Sequence, residues 1–249
     1  MGDYAPSAEF YDLLYSESKD YAAESAIIAQ LIHAAAPTAH RVLDVACGTG
    51  KHAEGLTALG FAVDGIDLEP RFVAVAAQRC PDGSFQVGDM TELSLPQRYD
   101  AITCLFSSIG YAHTPERLNR TLANFAAHLQ PGGVVIIDPW FEPGELTDRW
   151  VGMVTGAGDG VSVCRMQRTL IDGSTSYLEF EYLVGSPRGI ERLSERHALG
   201  LFTREQMEMA FSAAGLSVEW RDAGLRRRGA YIGHLPTGRG ESRRAPTIR

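Results

Sequence analysis

The stretch Asp44-Val45-Ala46-Cys47-Gly48-Thr49-Gly50 decides the fold. It continues an apolar run that begins at Val42, and its two glycines allow the backbone to come close to a ligand. A short strand that runs directly into such a turn predicts a site for a flat, polar ligand. Residues Gly48 to Ala53 also satisfy the dinucleotide pattern G-x-G-x-x-A, so this stretch alone leaves a nicotinamide cofactor open.

Two acidic residues further along the chain indicate an adenosine-containing ligand. Asp67 ends the next predicted strand, about 20 residues beyond the glycine loop, where a carboxylate accepts hydrogen bonds from both ribose hydroxyls. Gly88-Asp89-Met90 follows the third predicted strand and offers an acidic group to the adenine amine and an apolar side chain to the adenine face. S-adenosylmethionine and NAD share this ribose, so Asp67 does not separate the two, and the discrimination must come from elsewhere, with Gly88-Asp89-Met90 as the candidate.

Strands and helices alternate over the first 139 residues. The apolar spacing predicts the following elements: a helix over Tyr21 to Ala36, a strand over Val42 to Ala46, a helix over Lys51 to Leu59, a strand over Ala62 to Asp67, a helix over Arg71 to Arg79, a strand ending before Asp89, a strand over Tyr99 to Phe106, a helix over Pro115 to Leu129 and a strand over Val134 to Asp138. This alternation predicts an α/β fold with a Rossmann-like, doubly wound, mostly parallel sheet.

The pattern then changes to antiparallel strands. Val161 to Met166 and Tyr177 to Leu183 alternate with period two around Asp172-Gly173, which predicts a hairpin with a loop longer than the tightest turn. A helix over Thr203 to Ala214, with a capping box, returns the chain to the first sheet, which strands over Leu216 to Trp220 and Ala230 to Gly233 complete. We therefore expect a domain formed by 1–139 and 201–236, an inserted antiparallel β-subdomain at 140–200, and a disordered tail at 237–249.

Composition narrows the classes of function. The chain has 249 residues, 45% of them hydrophobic, which is enough for a sizeable core, and a formal net charge of −8, which disfavours nucleic acid as a partner. The N-terminus has no signal region and no apolar run reaches the roughly 20 residues that a membrane span needs, so we expect a cytoplasmic protein. Four scattered cysteines indicate neither disulfides nor a metal site.

The motifs that carry a family resemblance stand in a fixed order along the chain. They are the glycine loop from Asp44 to Gly50, Asp67, Gly88-Asp89-Met90 and Gln130-Pro131-Gly132-Gly133, and in this order they resemble those of class I S-adenosylmethionine-dependent methyltransferases. More narrowly, Lys19-Asp20-Tyr21, Phe106-Ser107-Ser108-Ile109-Gly110-Tyr111, Pro139-Trp140, Leu201-Phe202-Thr203 and Arg228-Gly229 resemble the nucleotide-activated 3-amino-deoxysugar N,N-dimethyltransferases of the desosamine and mycaminose type. The resemblance covers residues 3–235.

The resemblance implies S-adenosylmethionine as cofactor, a nucleotide (TDP)-linked amino sugar as substrate and a homodimer. It places these residues at the cofactor: Tyr11, Tyr21, Ala46, Gly48, Gly50, Asp67, Leu68, Asp89, Met90, Leu105 and Phe106. An aromatic ring face attracts a cation such as a sulfonium, although Tyr11 and Tyr21 would equally serve to pack a helix on the sheet.

Methyl transfer to an amine requires alignment, removal of water and a neutral nitrogen. An alkylamine is mostly protonated near pH 7, so a proton acceptor or a water path is needed. The candidates are Tyr111, Tyr4 and His113. Tyr111 is the first choice for positioning the amine, since it follows the fourth strand at the edge where such sheets bind ligands. The resemblance makes Tyr4 part of a lid, and some relatives have histidine at the place of Tyr111; His113 is alternatively a surface residue.

A diphosphate in the substrate calls for a guanidinium group. Arg228 is the match to the family, although the run Arg226-Arg227-Arg228 departs from the family pattern and is alternatively a solvated basic loop. Trp140 and Arg165 are expected on the same wall of the pocket, and alternation alone would also let Arg165 face solvent. Three other functions stay open: methylation of another small acceptor such as a sugar hydroxyl or an amino acid, a nicotinamide-dependent oxidoreductase, and a non-catalytic cofactor-binding module.

Overall fold

The computed structural model describes residues 7–15, 19–222 and 228–238. Its helices are α1 Tyr11–Tyr15, α2 Tyr21–Ala35, α3 Lys51–Ala58, α4 Pro70–Arg79, α5 Pro115–His128 and α6 Arg204–Ala213, with short 3-10 helices at Met90–Glu92 and Ser108–Ala112. Its strands are β1 Arg41–Val45, β2 Ala62–Asp67, β3 Phe85–Val87, β4 Tyr99–Cys104, β5 Leu129–Ile137, β6 Val151–Gly158, β7 Val161–Asp172, β8 Thr175–Ser186, β9 Gly189–Gly200, β10 Ser217–Arg221 and β11 Ala230–His234. Predictions made for Tyr4 and for 239–249 lie outside the described residues.

Seven strands form one sheet in the order β10-β11-β5-β4-β1-β2-β3. The pairs from β5 to β3 are parallel, and β10 and β11 are antiparallel. The order of the strands reverses between β1 and β4, and in open α/β sheets ligands bind outside the carboxyl ends of the strands at this point. The predicted Rossmann-like α/β fold is confirmed.

Helices cover both faces of this sheet, which explains why its central strands are apolar at successive positions. Val42 packs on one side with Ile28 and Leu56, while its neighbour Leu43 packs on the other side with Phe125. All of these side chains are fully buried. The two layers of helices hold the carboxyl ends of β1, β2 and β4 in fixed positions, and the loops after these strands build the site described below.

The second sheet is antiparallel throughout, in the order β6-β7-β8-β9. The predicted hairpin corresponds to β7 and β8, but its strands are longer than predicted and pair up to Asp172 and Thr175. Only Gly173 and Ser174 remain between the strands, so the expectation of a longer loop was wrong. Gly173 has φ +56°, the left-handed conformation that so short a turn requires.

Some other boundaries differ from the predictions. β4 ends at Cys104 rather than Phe106, because Phe106 and Ser107 have φ values of +56° and +65° and leave the extended conformation. β5 begins at Leu129 instead of Val134, and its pairing with β4 shifts register at the Pro-Gly-Gly segment. Helix α6 has the predicted capping box, in which the Thr203 side chain accepts from Gln206 N and the Gln206 side chain accepts from Thr203 N.

Candidate active site

A cavity of about 320 Å³ lies at the carboxyl ends of β1, β2 and β4. This volume is within the range of small-molecule sites. Twelve of the residues predicted to bind the cofactor or the amine line this cavity: Tyr11, Tyr21, Ala46, Gly48, Asp67, Leu68, Asp89, Met90, Leu105, Phe106, Tyr111 and His113. The fold therefore brings together residues from six separate segments of the sequence, 11, 21, 46–48, 67–68, 89–90 and 105–113.

The glycine loop is tied to Asp67 by backbone hydrogen bonds. Gly48 N donates to Asp67 Oδ2 at 2.8 Å, and Glu69 N donates to Oδ1 at 2.9 Å. Ala46 and Gly48 have φ values of +56° and +55°, so the loop turns sharply at the end of β1. These contacts fix the carboxylate at the wall of the cavity before any ligand binds.

Gly50 does not line the cavity in the described part of the chain. It precedes α3 with φ +77°, and a Cβ there would lie 2.9 Å from the Ala76 Cβ of α4. Because Gly50 has no side chain, the loop packs tightly against α4. The structure thus gives Gly50 an indirect effect on the site through the shape of the loop.

Burial keeps part of the acidic wall close to neutral in the free protein. Burial, together with the charge of nearby Asp67, raises the pKa of Asp44 to about 7, against the hydrogen bond from Thr103 and the charge of Lys19, which lower it. The pKa of Asp67 is also raised by burial, although Glu69 N and Gly48 N donate to it. A cationic ligand in this cavity would favour the ionised forms of both carboxylates. Asp44 is the first residue of the glycine motif, but the sequence does not indicate that its side chain lies in the cavity wall.

Asp89 has the opposite electrostatic environment. Burial alone would raise its pKa, but hydrogen bonds from Thr91 and the charge of Arg117 lower it. The Arg117 guanidinium lies 3.4 Å from Asp89 Oδ2. Met90, which is buried, begins the 3-10 helix next to it, while Leu68 is exposed at the rim. An ionised acceptor and an apolar side chain thus stand side by side, as predicted for an adenine site.

Aromatic rings and Lys19 form another part of the cavity lining. Lys19 Nζ lies 3.8 Å from the centre of the Phe106 ring and 4.5 Å from that of Tyr21. Glu24 Oε2 forms an ion pair with Lys19 Nζ at 3.1 Å and also contacts His52 Nε2 at 2.8 Å. Burial would raise the pKa of Glu24, but His52 and Lys19 lower it to about 2. In the sequence, Lys19 is indicated only as part of a motif, because no spacing rule predicts that it lies over these rings.

Tyr111 and His113 stand on and just after the 3-10 helix Ser108–Ala112. Tyr111 Oη lies 3.1 Å from Nδ1 of His197, a residue of β9. His113 has φ +63°, and with Ala46, Phe106 and Ser107 it makes four non-glycine residues of left-handed conformation in the loops at this edge. Such conformations concentrate at functional sites, where the surrounding structure holds them in place.

A second cavity, of about 460 Å³, lies on the other side of the 3-10 helix. Trp140, Arg228 and Ile109 line it, whereas Tyr111 of the same 3-10 helix lines the first cavity. Arg228 Nη2 donates to Ser107 Oγ at 2.8 Å, and its guanidinium carbon lies 4.8 Å from the centre of the Phe141 ring. The predicted phosphate-binding residue is therefore oriented by contacts on both sides.

Arg165 is placed apart from these residues. It lines neither cavity in the described residues; it is buried, donates to Tyr15 Oη at 2.7 Å and lies over the Phe180 ring at 4.4 Å. The alternative that it faces solvent is wrong. Its expected role in substrate binding has no support from this position and stays a prediction.

The remaining expectations concern metals and membranes. Among the described residues there is no group of three His, Cys, Asp or Glu side chains that could hold a metal ion. Within those same ranges, no helix is long and apolar enough to cross a membrane. The cysteines Cys47, Cys80, Cys104 and Cys164 are free thiols. Burial raises the pKa of Cys47, as do Asp44 and Asp67, so this cavity thiol stays protonated.

The chain is similar to known sequences over nearly its whole length. A methyltransferase domain family matches residues 42–133, from β1 into β5. The dTDP-3-amino-3,6-dideoxy-alpha-D-glucopyranose N,N-dimethyltransferase of Streptomyces fradiae is 42% identical over 246 residues, covering 98% of this chain and 96% of that protein. The similarity therefore includes the second sheet as well as the cofactor half.

Solved structures agree with this similarity. Streptomyces venezuelae DesVI has a TM-score of 0.86 and 39% identity, over 92% of this chain and 98% of its own. The amino pentose methyltransferase CalS10 of Micromonospora echinaspora, solved with S-adenosylmethionine bound, has a TM-score of 0.80 and 36% identity, over 90% of this chain and 95% of its own. The cofactor is thus S-adenosylmethionine, and the nicotinamide interpretation of Gly48 to Ala53 is wrong. The chain belongs to the family of S-adenosylmethionine-dependent N,N-dimethyltransferases of dTDP-linked amino-deoxysugars.

Proposed function

We propose that this enzyme methylates the amino group of a dTDP-linked amino-deoxysugar twice, within a natural-product pathway. The observation that carries the proposal is the pair of cavities separated by the 3-10 helix Ser108–Ala112. The first has acidic and aromatic walls suited to a cationic adenosine cofactor, and the second has a fixed guanidinium beside aromatic rings. Tyr111, on this 3-10 helix, lines the first cavity.

The residues of the first cavity fit S-adenosylmethionine. Asp67 would accept the ribose hydroxyls, Asp89 and Met90 would hold the adenine, and Asp44 would face the positive charges of the methionine end. Tyr11, Tyr21 and Phe106 would surround the sulfonium with ring faces, which attract a cation. When bound, the cofactor supplies an electrophilic methyl group to the acceptor nitrogen.

The second cavity is proposed to hold the nucleotide sugar. Arg228 would bind the diphosphate, because a guanidinium forms paired hydrogen bonds with phosphate oxygens. Trp140 would form part of the same wall; its indole nitrogen donates to Ser176 Oγ at 2.9 Å, which orients the ring. The sugar amine would then lie near Tyr111, with His113 as a further candidate for positioning it and Tyr4 as part of the proposed lid.

A direct assay tests the function. Purified enzyme is incubated with S-adenosylmethionine and dTDP-linked 3-amino and 4-amino deoxysugars, and mass spectrometry counts the methyl groups added. Two methyl groups on one of these amines support the proposal. Transfer only to a sugar hydroxyl or to an amino acid would contradict it, and binding of the cofactor without any S-adenosylhomocysteine would indicate the non-catalytic module.

Arg228→Ala tests the substrate site. Because the diphosphate contact is made equally in the ground state and the transition state, KM for the nucleotide sugar should rise about 10- to 100-fold with kcat nearly unchanged. The Kd of S-adenosylmethionine should stay the same. Arg221→Ala, an exposed arginine paired with Glu219 at 2.8 Å, is the matched control. Equal KM values for both variants would place the diphosphate elsewhere.

The proposal extends to organisation. We propose that 140–200, which contains β6 to β9, is an inserted subdomain between 1–139 and 201–236. We also propose a cytoplasmic enzyme, because its four cysteines are free thiols, as is usual in a reducing compartment.

A homodimer is proposed from the outer face of the second sheet. Val151, Met153, Met166 and Leu183 are exposed there and form what we call the outer patch. Met153 pairs directly with Met166 across β6 and β7, so the patch is continuous at this point. The ion pairs Arg168–Glu179 and Arg192–Glu181 lie at its rim. An apolar surface with a polar rim is typical of protein interfaces.

A further inference from the structure

A buried chain of hydrogen bonds begins at the wall of the cofactor cavity. Tyr111 Oη lies 3.1 Å from His197 Nδ1, and His197 Nε2 lies 3.3 Å from Glu195 Oε2. The His197 side chain is 0% exposed and that of Glu195 is 1% exposed. A charged or polar group is rarely buried so completely unless its partners satisfy it. The second sheet thus places an imidazole and a carboxylate directly behind Tyr111.

Glu195 is held as an ionised carboxylate. Tyr182 Oη donates to Oε2 at 2.7 Å, Ser7 N donates to Oε1 at 2.7 Å and Ser7 Oγ donates to Oε2 at 3.0 Å. Burial would raise the pKa of Glu195, but the hydrogen bonds from His197, Tyr182 and Ser7 lower it overall. An ionised carboxylate only accepts, so His197 Nε2 carries the proton of the neutral imidazole. His197 Nδ1 is then the acceptor for the Tyr111 hydroxyl.

This arrangement of hydrogen-bond donors and acceptors provides the proton acceptor that the proposed reaction needs. A phenol with a pKa near 10 is seldom an ionised base at neutral pH, so Tyr111 alone would be a poor proton acceptor. An imidazole with a buried carboxylate behind it is a better one, because the carboxylate stabilises the imidazolium, as in the Ser-His-Asp arrangement of hydrolases. The phenol connects this base to the cavity.

We propose that Tyr111, His197 and Glu195 form a proton relay that deprotonates the acceptor ammonium; this inference rests on the proposed function. A proton leaves the ammonium nitrogen for the Tyr111 oxygen as the phenol proton moves to His197 Nδ1. The nitrogen regains its lone pair, the phenol stays neutral, and His197 becomes an imidazolium paired with Glu195. The proton returns through Tyr111 to water when product leaves. His197 and Glu195 are positioning residues that act through Tyr111.

The charged and titratable groups around His197 come from four elements. Glu195 is on its own strand, Tyr182 is on β8, and Tyr111 and His113 come from the 3-10 helix and its end. Arg165 of β7 lies behind the Phe180 ring, at 4.4 Å from its centre, and its charge opposes an imidazolium. Glu195 is therefore needed to offset this arginine when His197 takes up a proton.

Glu195→Gln tests the relay, because the amide keeps the size of the carboxylate but removes its charge. The single-turnover rate at pH 7 should fall about 100-fold, the lower end of the range for loss of a general base. The loss should shrink as the pH approaches 10, where water deprotonates the amine. KM for both substrates should change less than about threefold. An equal loss at every pH would overturn the relay.

Tyr182→Phe is the matched control. It removes a hydrogen bond to the same carboxylate and so should lower the melting temperature as Glu195→Gln does. Its pH profile should keep the wild-type shape, since the charge of Glu195 remains. If the two variants have the same profile, the cluster only holds Ser7 to the second sheet.

A double mutant isolates the role of Tyr111. In the Tyr111→Phe background the relay is already broken, so adding Glu195→Gln should reduce the rate less than about twofold further. Independent, multiplying losses would contradict a pathway through Tyr111.

NMR of labelled histidine separates this inference from the proposed function. In wild-type protein without substrate, the imidazole nitrogen shifts should show His197 as the Nε2-protonated tautomer. If the wild type methylates no amino sugar but His197 behaves in this way, the proposed acceptor is wrong and the relay stands. A His197 protonated at Nδ1 would overturn the relay whatever the acceptor, because the Tyr111 hydroxyl could then not donate to that nitrogen.

Discussion

At the residue scale, Asp67 illustrates how the backbone prepares a side chain for its ligand. Its two carboxylate oxygens accept from Gly48 N and Glu69 N, so the group is oriented without the cofactor. Asp67→Asn should weaken S-adenosylmethionine binding about 10- to 100-fold, because a charge-assisted hydrogen bond contributes about 1.5–3 kcal/mol. Calorimetric titration measures the Kd directly.

Asp64 provides the comparison for this variant. It lies on the same strand but contacts Arg41 at 3.2 Å and Tyr99 at 3.0 Å, away from the cavity lining. Asp64→Asn should leave the Kd of the cofactor unchanged. The ribose assignment would be wrong if a folded Asp67→Asn protein bound as tightly as the Asp64→Asn control.

Asp44 gives the free enzyme a dependence of stability on pH. Its pKa in the fold is about 7, above the ordinary 3.8, because burial disfavours the charged form. A carboxyl group with a raised pKa does not destabilise the fold below pH 4. Its destabilising effect grows as the pH rises to 7. Asp44→Asn should therefore raise the free energy of unfolding at pH 8, by about 4 kcal/mol at most, and have little effect at pH 4. Denaturant unfolding at both pH values checks this, and an equal effect at the two pH values would contradict it.

The sequence indicated the cofactor side of the site well and the buried side poorly. Asp67 and Asp89 follow strands, and a residue at the carboxyl end of a parallel strand lies at the ligand edge whatever the details of packing. His197 and Glu195 could not be found in this way, since alternation on β9 does not say which partner strand or loop faces them. Lys19 lies over Phe106 because α2 packs on the sheet, a tertiary contact with no local signal.

At the element scale, the helices and parallel strands were predictable and half of the second sheet was not. The strands β1 and β4 are buried on both faces, so their composition is apolar in any register. β6 contains three glycines, which normally argue against a strand, and β9 carries several charged residues. Neither strand has the period-two alternation of apolar and polar residues that made β7 and β8 predictable.

Two of the three glycines of β6, Gly156 and Gly158, lie against Leu13 of the neighbouring helix α1. A Cβ on Gly156 would lie 2.3 Å from the Leu13 carbonyl oxygen of α1, so only glycine allows this approach. The charges of β9 are satisfied across the sheet, where Arg192 pairs with Glu181 at 3.0 Å. Both features suit the strands once their partners are in place, and neither can be read from one strand alone.

At the scale of the whole molecule, the second sheet has two faces with different roles. Its inner face carries Glu195 and His197 behind the cofactor cavity, and its outer face carries the outer patch. If two copies of the chain pair through this patch, each copy supports the second sheet of its partner. The inner face of that sheet forms part of the active site of the partner. Dimer formation and the geometry of the relay would then be linked through the same strands.

Met166→Lys tests the dimer. The new ammonium faces Glu181 across β7 and β8, so the sheet should keep its fold, but burying the charge in an interface costs several kcal/mol. The dimer Kd should rise at least about 100-fold. Light scattering coupled to size-exclusion chromatography should give twice the chain mass for wild type and a single chain mass for the variant. Met209→Lys is the matched control, since Met209 is an exposed methionine on α6 outside the outer patch, and it should remain dimeric. A monomeric wild type, or two variants with the same mass, would remove the outer patch as the interface.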